Sequence, residues 1–458
     1  MRDALRFGSC ALLALLLGAG HRTARADGNR AAGRGRIVVS TVGELRTALR
    51  PENAGARIFV RSGDYALDAP LAVPDGTTLE GEGVLRGDHD GCARGLEGAP
   101  TIRPATPTSF SGDVLTLGDG VELRRIAVAD DRDGLGNAIG VGTRAPRDSV
   151  SVSLFECEVR TSSPPGVGLN GPTGRGLAVL TLNPGLGNDP PPHVDSAVSA
   201  RIERSVLRAT GGSHAIFAAN FAARGRVSVT LARSSVSGGM DMATGVSRGD
   251  PVDECSLTFF SSQNRYAGSP ADFSALQING GSAAPIGIAG PGSSRNVGRI
   301  FSIDDRIEGY LVGIFAAASE RYVDFVGLNF DNLVELHLDG TSFQTVGPAE
   351  PFPGPPFFPV DLWLDGAETS PGLSAGTGST LRLFARNVEG SDGGRSLRFN
   401  IYANTADFLG ESEDDENRLE VEGTPDAFAR RNDLNPPPGD EFFTGRRRPT
   451  RDQDKSRP

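Results

Sequence analysis

The sequence predicts an all-β protein: a single-stranded right-handed parallel β-helix whose N-terminal end is capped by a short helix. Three observations carry this. Of 458 residues 61 are glycine, nearly double the usual share of about 7%, and only 6% are aromatic; that composition suits short strands and tight turns. Alternating apolar segments recur through the body, for example Val150-Ser151-Val152-Ser153-Leu154, Val227-Ser228-Val229-Thr230-Leu231 and Val334-Glu335-Leu336-His337-Leu338. Their spacing is uneven. With Leu154, Ile202, Leu231, Phe259, Ile303, Leu338 and Leu383 as register marks, the intervals run from 28 residues (Leu231 to Phe259) to 48 (Leu154 to Ile202). A propeller would keep a steadier period, whereas a β-helix coil tolerates long inserts at one turn. Proline-rich inserts at 164–172, 183–192 and 348–359 fall in the longer intervals. Roughly eight or nine coils result, wound right-handed because right-twisted parallel strands connect that way. An array of separate β-sandwiches is the competing architecture.

The elements follow in order. Arg2 and Arg6 precede the apolar run Ala11 to Leu17, and Ala24-Arg25-Ala26 follows. A basic, a greasy and a small-x-small segment together describe a cleavable signal over residues 1–26, and the run is too short for a membrane span of roughly 20 apolar residues. Residues 27–36 read as a flexible leader. Val42, Leu45, Ala48 and Leu49 then fall on one side of a short helix. The strand Arg57-Ile58-Phe59-Val60 and the turn Ser62-Gly63-Asp64-Tyr65 come next, then Leu71-Ala72-Val73-Pro74 and Thr77-Thr78-Leu79-Glu80-Gly81-Glu82-Gly83. The solenoid is expected over 37–431. Second strands of its coils are read at Leu177–Leu182, His214–Phe217, Ala275–Ile278, Val360–Leu364 and Leu397–Ile401. Residues 432–458, with three consecutive prolines and three consecutive arginines, are expected to be a disordered tail.

The opening resembles that of the pectin-lyase-like β-helix proteins: a capping helix, a strand, a Gly-x-Tyr turn, then Leu-x-Val-Pro-x-Gly-x-Thr-Leu-x-Gly-x-Gly from Leu71 to Gly83. The match is close over about 45 residues. It implies a fold more than an activity, because lyases, hydrolases, esterases and adhesins of that superfamily begin alike.

A net charge of −11 argues against a nucleic-acid binder, which needs a basic face. Lys455 in the tail is the only lysine, so a lysine base within the body is excluded. Cys92, Cys157 and Cys255 follow the signal. They allow one bridge and one free thiol, with the pair left open. The mature chain is expected as a monomer without a membrane span, secreted or held in the periplasm or at the cell surface.

Four features could carry chemistry. Asp304-Asp305, followed by Arg306, resembles the adjacent aspartates of polygalacturonases, where carboxylates act as general acid and base. The accompanying Gly-His-Gly and Arg-Ile-Lys are missing, and neighbours on a straight strand point to opposite faces, so both serve one site only in a turn or bulge. Asp130, Asp131 and Asp133 flank Gly134 and offer hard oxygens for Ca²⁺, the ion by which pectate lyases bind uronate; no other cofactor is implied. The acidic run 411–417 is a denser cluster that reads as an exposed loop. Arg204, Arg233, Arg306 and Arg386 could line one outer face and bind a uronate in bidentate fashion, with Arg306 beside the aspartate pair; pairing with Glu156, Glu158, Glu203 and Glu308 is the competing reading. His89, His193 and His214 are scattered, and His337, in an alternating strand, reads as structural. The function expected is binding to or action on an extracellular polysaccharide, as a lyase or glycoside hydrolase if catalytic. A non-catalytic envelope or adhesion protein is the alternative.

Overall fold

The computed structural model describes residues 36–87, 91–132, 136–162, 174–181, 194–211, 213–245, 252–268, 274–279, 294–309, 312–319, 329–345, 358–365, 376–390, 397–404, 418–423 and 428–430. The signal, nearly all of the leader, the acidic run at 411–417 and the C-terminal tail lie outside these. Among the described residues three parallel sheets of 12, 10 and 11 strands, A, B and C, wind along one axis. A full coil contributes one strand to each in turn, as in Ser149–Phe155 (A), Glu158–Ser162 (B) and Arg175–Thr181 (C), followed by Ala197–Glu203 back in A. The protein is a right-handed parallel β-helix, the fold that the opening residues suggested. The second strands read from the sequence are all sheet C strands.

Twelve strands in sheet A exceed the eight or nine coils expected, because the early coils were not counted from the register marks. Those marks also need correction. In sheet A, Leu154, Ile202 and Leu231 do stack, but the row continues through Ser261, Ser302, Leu338 and Ala385. Phe259 and Leu383 belong to the row of Ala200, Val229, Ile300 and Leu336, and Ile303 points outward. Alternation puts one residue set inward, so slipping by one residue turns an expected core residue to solvent.

Helix α1 (Val42–Ala48) covers the first coil. The Thr41 hydroxyl, at the N-cap, accepts from the Glu44 N–H at 3.2 Å and starts the helix, while the Glu44 carboxylate accepts from the preceding Ser40 N–H at 2.7 Å. Leu45, Ala48 and Leu49 are buried in the main core. Tyr65 of the Gly-x-Tyr turn is buried, and its hydroxyl donates to the Arg61 carbonyl at 2.9 Å. Gly81 is required by close approach, since a Cβ there would strike the Arg125 carbonyl and Pro100. Among the described residues no helix is long and apolar enough to cross a membrane.

Sheets A and B meet at a two-residue turn with a repeated rule. Its first residue is left-handed in Arg125, Glu156, Arg204, Arg233, Gln263, Asp304, Gly340 and Asn387 (φ 49° to 65°). That conformation costs roughly 1–2 kcal/mol without glycine, and hydrogen bonds to the next coil hold it, such as Arg204 N–H to the Ala232 carbonyl at 2.9 Å and Asp304 N–H to the Asp339 carbonyl at 2.8 Å. The second residue is buried, and its N–H needs an acceptor inside the solenoid. The next coil's side chain supplies it: Cys157 N–H donates to Ser205 Oγ (3.0 Å), Ser205 to Ser234 Oγ (3.0 Å), Ser234 to Asn264 Oδ1 (2.8 Å) and Asn264 to Asp305 Oδ1 (2.8 Å). A second ladder runs where each coil re-enters sheet A, from Cys255 N–H to Asn296 Oδ1 (2.9 Å) and from Asn296 to Asn332 Oδ1 (3.0 Å). Gly340→Ala should lower stability by about 1–2 kcal/mol in thermal melts, because the new Cβ meets both a positive φ and the Asp304 carboxylate.

The cysteines remain thiols at three separate places. Cys157 lies in the first ladder and Cys255 in the second, and burial pushes both up to about 12. Cys92 sits beside the antiparallel hairpin of Val84–Gly87 and Ala93–Glu97, its thiol donating to the Gln263 carbonyl at 3.2 Å. The bridge allowed by the count is not formed, since the ladders and the hairpin hold each thiol apart.

Candidate functional site: a groove on the outer face of sheet A

The strands Ser256–Ser262, Val297–Ile303, Leu333–Asp339, Thr380–Arg386 and Arg418–Gly423 lie side by side in sheet A. Register aligns Phe260, Phe301, His337, Phe384 and Glu422 in one outward column. Ring centroids are 5.9 Å apart for Phe260–Phe301, 4.6 Å for Phe301–His337 and 4.5 Å for His337–Phe384, the last two pairs nearly parallel. Adjacent strands are about 4.8 Å apart, so the backbone itself sets this stacking distance. Ring faces are spent on one another, and the edges form an apolar ridge toward solvent. Burial holds the His337 imidazole below its ordinary range, against the pull of Glu335.

A second column flanks the ridge. Arg299, Glu335, Arg382 and Glu420 are aligned by the same registers and pair in sequence at 2.5, 3.1 and 2.7 Å. Burial alone pushes the Glu335 carboxyl up, but hydrogen bonds from Arg299 and Arg382 outweigh it and hold the group below its usual value. On the other flank Ile303, Asp339 and Arg386 align, and Asn387 Nδ2 donates to Asp339 Oδ1 at 3.1 Å. Between ridge and flank lies a cavity of about 730 Å³, lined by Phe301, Ile303, His337, Asp339, Phe384, Arg386, Asn387 and Glu422, among others. Its size falls in the range of ligand clefts, about 300–1,000 Å³. Toward the N-terminus the same outer face carries short polar side chains, Ser151, Ser199, Ser228 and Thr258, in one row.

The structure distributes the residues singled out from the sequence. Asp304 and Asp305 do lie in a turn, but the turn sends them apart. Asp304 is exposed at the groove edge, over Gly340. Asp305 is 1% exposed and accepts from Ser261 Oγ (2.5 Å), Ser302 Oγ (2.7 Å), Asn264 N–H (2.8 Å) and Asn264 Nδ2 (3.2 Å). Burial pushes its carboxyl up to about 6 against those donors. The turn therefore does not deliver two carboxylates to one site. Arg306 points out from sheet B, where it pairs with Glu308 at 2.9 Å and donates to Gln344.

The four arginines do not form one column. Arg204 and Arg233 occupy left-handed turn positions, with Arg204 on Glu156 at 3.2 Å and Arg233 donating to Gln263 Oε1 at 3.3 Å. Arg386 alone of the four lines the groove. The Ca²⁺ reading does not fit the described carboxylates either. Both Asp130 oxygens take hydrogen bonds from the buried Arg132, Nε to Oδ1 at 2.8 Å and Nη2 to Oδ2 at 2.9 Å, while Asp131 is exposed and Asp133 lies outside the described residues. No group of His, Cys, Asp and Glu among the described residues could hold a metal ion.

Sequence reasoning missed Phe301, Phe384 and the Arg299–Glu420 column, and read His337 only as structural. The signal was present: outward positions of neighbouring strands carry aromatic residues where polar ones are usual.

No family model matches the sequence, and no curated protein does. Among solved structures the chain is similar to the catalytic unit of a thermostable α-1,3-glucanase from Streptomyces thermodiastaticus, at 10% identity and a TM-score of 0.32, covering 85% of this chain and 66% of that one. It is similar also to the surface protein and adhesin PfbA of Streptococcus pneumoniae (9%, TM-score 0.35, 85% and 95%). The A-module of a mannuronan C-5 epimerase from Azotobacter vinelandii gives 11%, 0.30, 80% and 98%. The chain thus spans just under two thirds of the glucanase unit. At these values the likeness carries nothing about activity, and the fold rests on the strand registers above.

Proposed function

We propose that this is a secreted or surface-located β-helix protein that binds a polysaccharide along the outer face of sheet A. The observation that carries this is the groove with one apolar wall and one polar wall. The ridge of Phe301, His337 and Phe384 offers ring edges to the C–H faces of a sugar, and Ile303 adds a methyl surface from the other flank. Asp339, Arg386, Asn387 and Glu422 offer planar donors and acceptors, the kind that engage neighbouring hydroxyls two at a time. The groove runs across successive coils, the direction in which a linear polymer would repeat its contacts. Binding is preferred to hydrolysis as the reading because Asp305, the nearby carboxyl with a raised pKa, faces the interior.

Isothermal titration against a panel of soluble polysaccharides tests this. The wild-type chain is expected to bind at least one member. Phe384→Ala, with an intact circular dichroism spectrum, should weaken that binding about tenfold, the equivalent of roughly 1.4 kcal/mol of lost apolar contact. Unchanged binding by a folded Phe384→Ala protein, or a panel without a ligand, overturns the reading.

A further inference from the structure

We infer that the polymer held in this groove is an uncharged, hydroxyl-rich glycan and not a polyuronate; the inference rests on the groove reading above. It comes from how the charges are partnered. A uronate needs a cation free to receive it, and of the sheet A arginines flanking the ridge Arg299 and Arg382 are committed, which leaves Arg386 to meet one. Arg299 and Arg382 both bind Glu335, and Arg382 binds Glu420 as well. Glu335 is only 9% exposed. Recruiting either arginine to a ligand would leave the largely buried Glu335 with one guanidinium in place of two, which is unfavourable. That flank, with two arginines and two glutamates, is neutral overall.

The other flank is acidic. Asp339 and Glu422 line the cavity and Asp304 stands at its edge, against the single guanidinium of Arg386. Three carboxylates to one cation leave an excess of negative charge among the described residues where the ligand would lie. A polyuronate would bring one carboxylate per residue into that field, a like-charge approach that surfaces use to reject partners. A neutral chain meets no such penalty, and carboxylate and amide groups are good acceptors for its hydroxyls. The row leading up to the ridge, Ser153, Arg201, Thr230 and Phe260, holds one cation, and Arg201 is paired with Glu203 at 3.0 Å.

The test is titration of the full chain with neutral α- and β-linked glucan oligomers and with galacturonate oligomers of equal length, at about 50 mM and about 500 mM NaCl. Neutral oligomers are expected to bind with less than about a twofold change between the two salt levels. Galacturonate should bind at least about tenfold more weakly at low salt, with the gap narrowing at high salt as like charges are screened. Asp304→Asn combined with Glu422→Gln should narrow it at low salt too. Galacturonate binding as tight as glucan binding, and lost in Phe384→Ala, would overturn the inference while leaving the groove reading intact. Binding of neither class to the groove would sink both.

Discussion

Asp305→Asn is expected to erase a pH dependence of stability that the wild-type solenoid carries. In the folded protein burial raises this carboxyl from its ordinary 3.8 to about 6, so the unfolded chain gives up its proton first as pH rises. The stability the group contributes is fully present below about pH 4 and is lost as pH climbs through about 6. A shift of about two units corresponds to roughly 3 kcal/mol. Asparagine keeps the ladder acceptor for the Asn264 N–H and never ionises. Urea unfolding between pH 4 and 7 should therefore show the wild type losing about 2 kcal/mol relative to the variant across that window. His337 works the other way: its imidazole titrates below the ordinary range in the fold, so it removes stability as pH falls through about 6.5. Comparing the variant with wild type at each pH cancels that contribution. Parallel curves for the two proteins would refute the account of Asp305.

Arg132→Ala should cost about 3–5 kcal/mol, as expected when one member of a buried ion pair is removed. Arg132 and Asp130 are 1% and 3% exposed, and the guanidinium also donates to the Phe110 carbonyl (2.9 Å) and the Gly112 carbonyl (2.6 Å) while lying 4.4 Å from the Phe110 ring centroid. Asp130 would be left charged with no counterion. Combining it with Asp130→Leu should recover most of the loss, because no orphan charge then remains. With both Asp130 oxygens engaged, added Ca²⁺ should leave the wild-type melting temperature unchanged; a clear rise would mean that this segment binds the ion after all.

The solenoid was legible because its signals are local: alternation within strands, glycine and proline at turns, and a capped helix before the first coil. Register was not, since the inward rows are chemically mixed. Leu231 is followed in its row by Ser261 and Ser302, serines that face inward to bond Asp305, and an eye following apolar residues slips to Phe259 and Ile303 instead. That slip hid the groove, because it turned the outer column of Phe301, His337 and Phe384 into unrelated positions. Asp304-Asp305 looked catalytic for a similar reason. The backbone demand that makes the pair, a left-handed residue followed by a ladder acceptor, leaves in the sequence only two adjacent polar residues, the same mark an active site leaves. Asp130 and Arg132 are two apart and pair directly, but nothing in the sequence says that both are buried.

Hydroxyl-radical footprinting with mass spectrometry, with and without a bound glycan, tests the central claim most directly. If the polymer lies in the groove of sheet A, the peptides holding Phe301, Ile303, His337 and Phe384 become protected from oxidation when it binds, while outward residues of sheet B such as Arg265 and Arg306 keep their reactivity. Protection on sheet B or C, with Phe301, His337 and Phe384 oxidised as before, would contradict it.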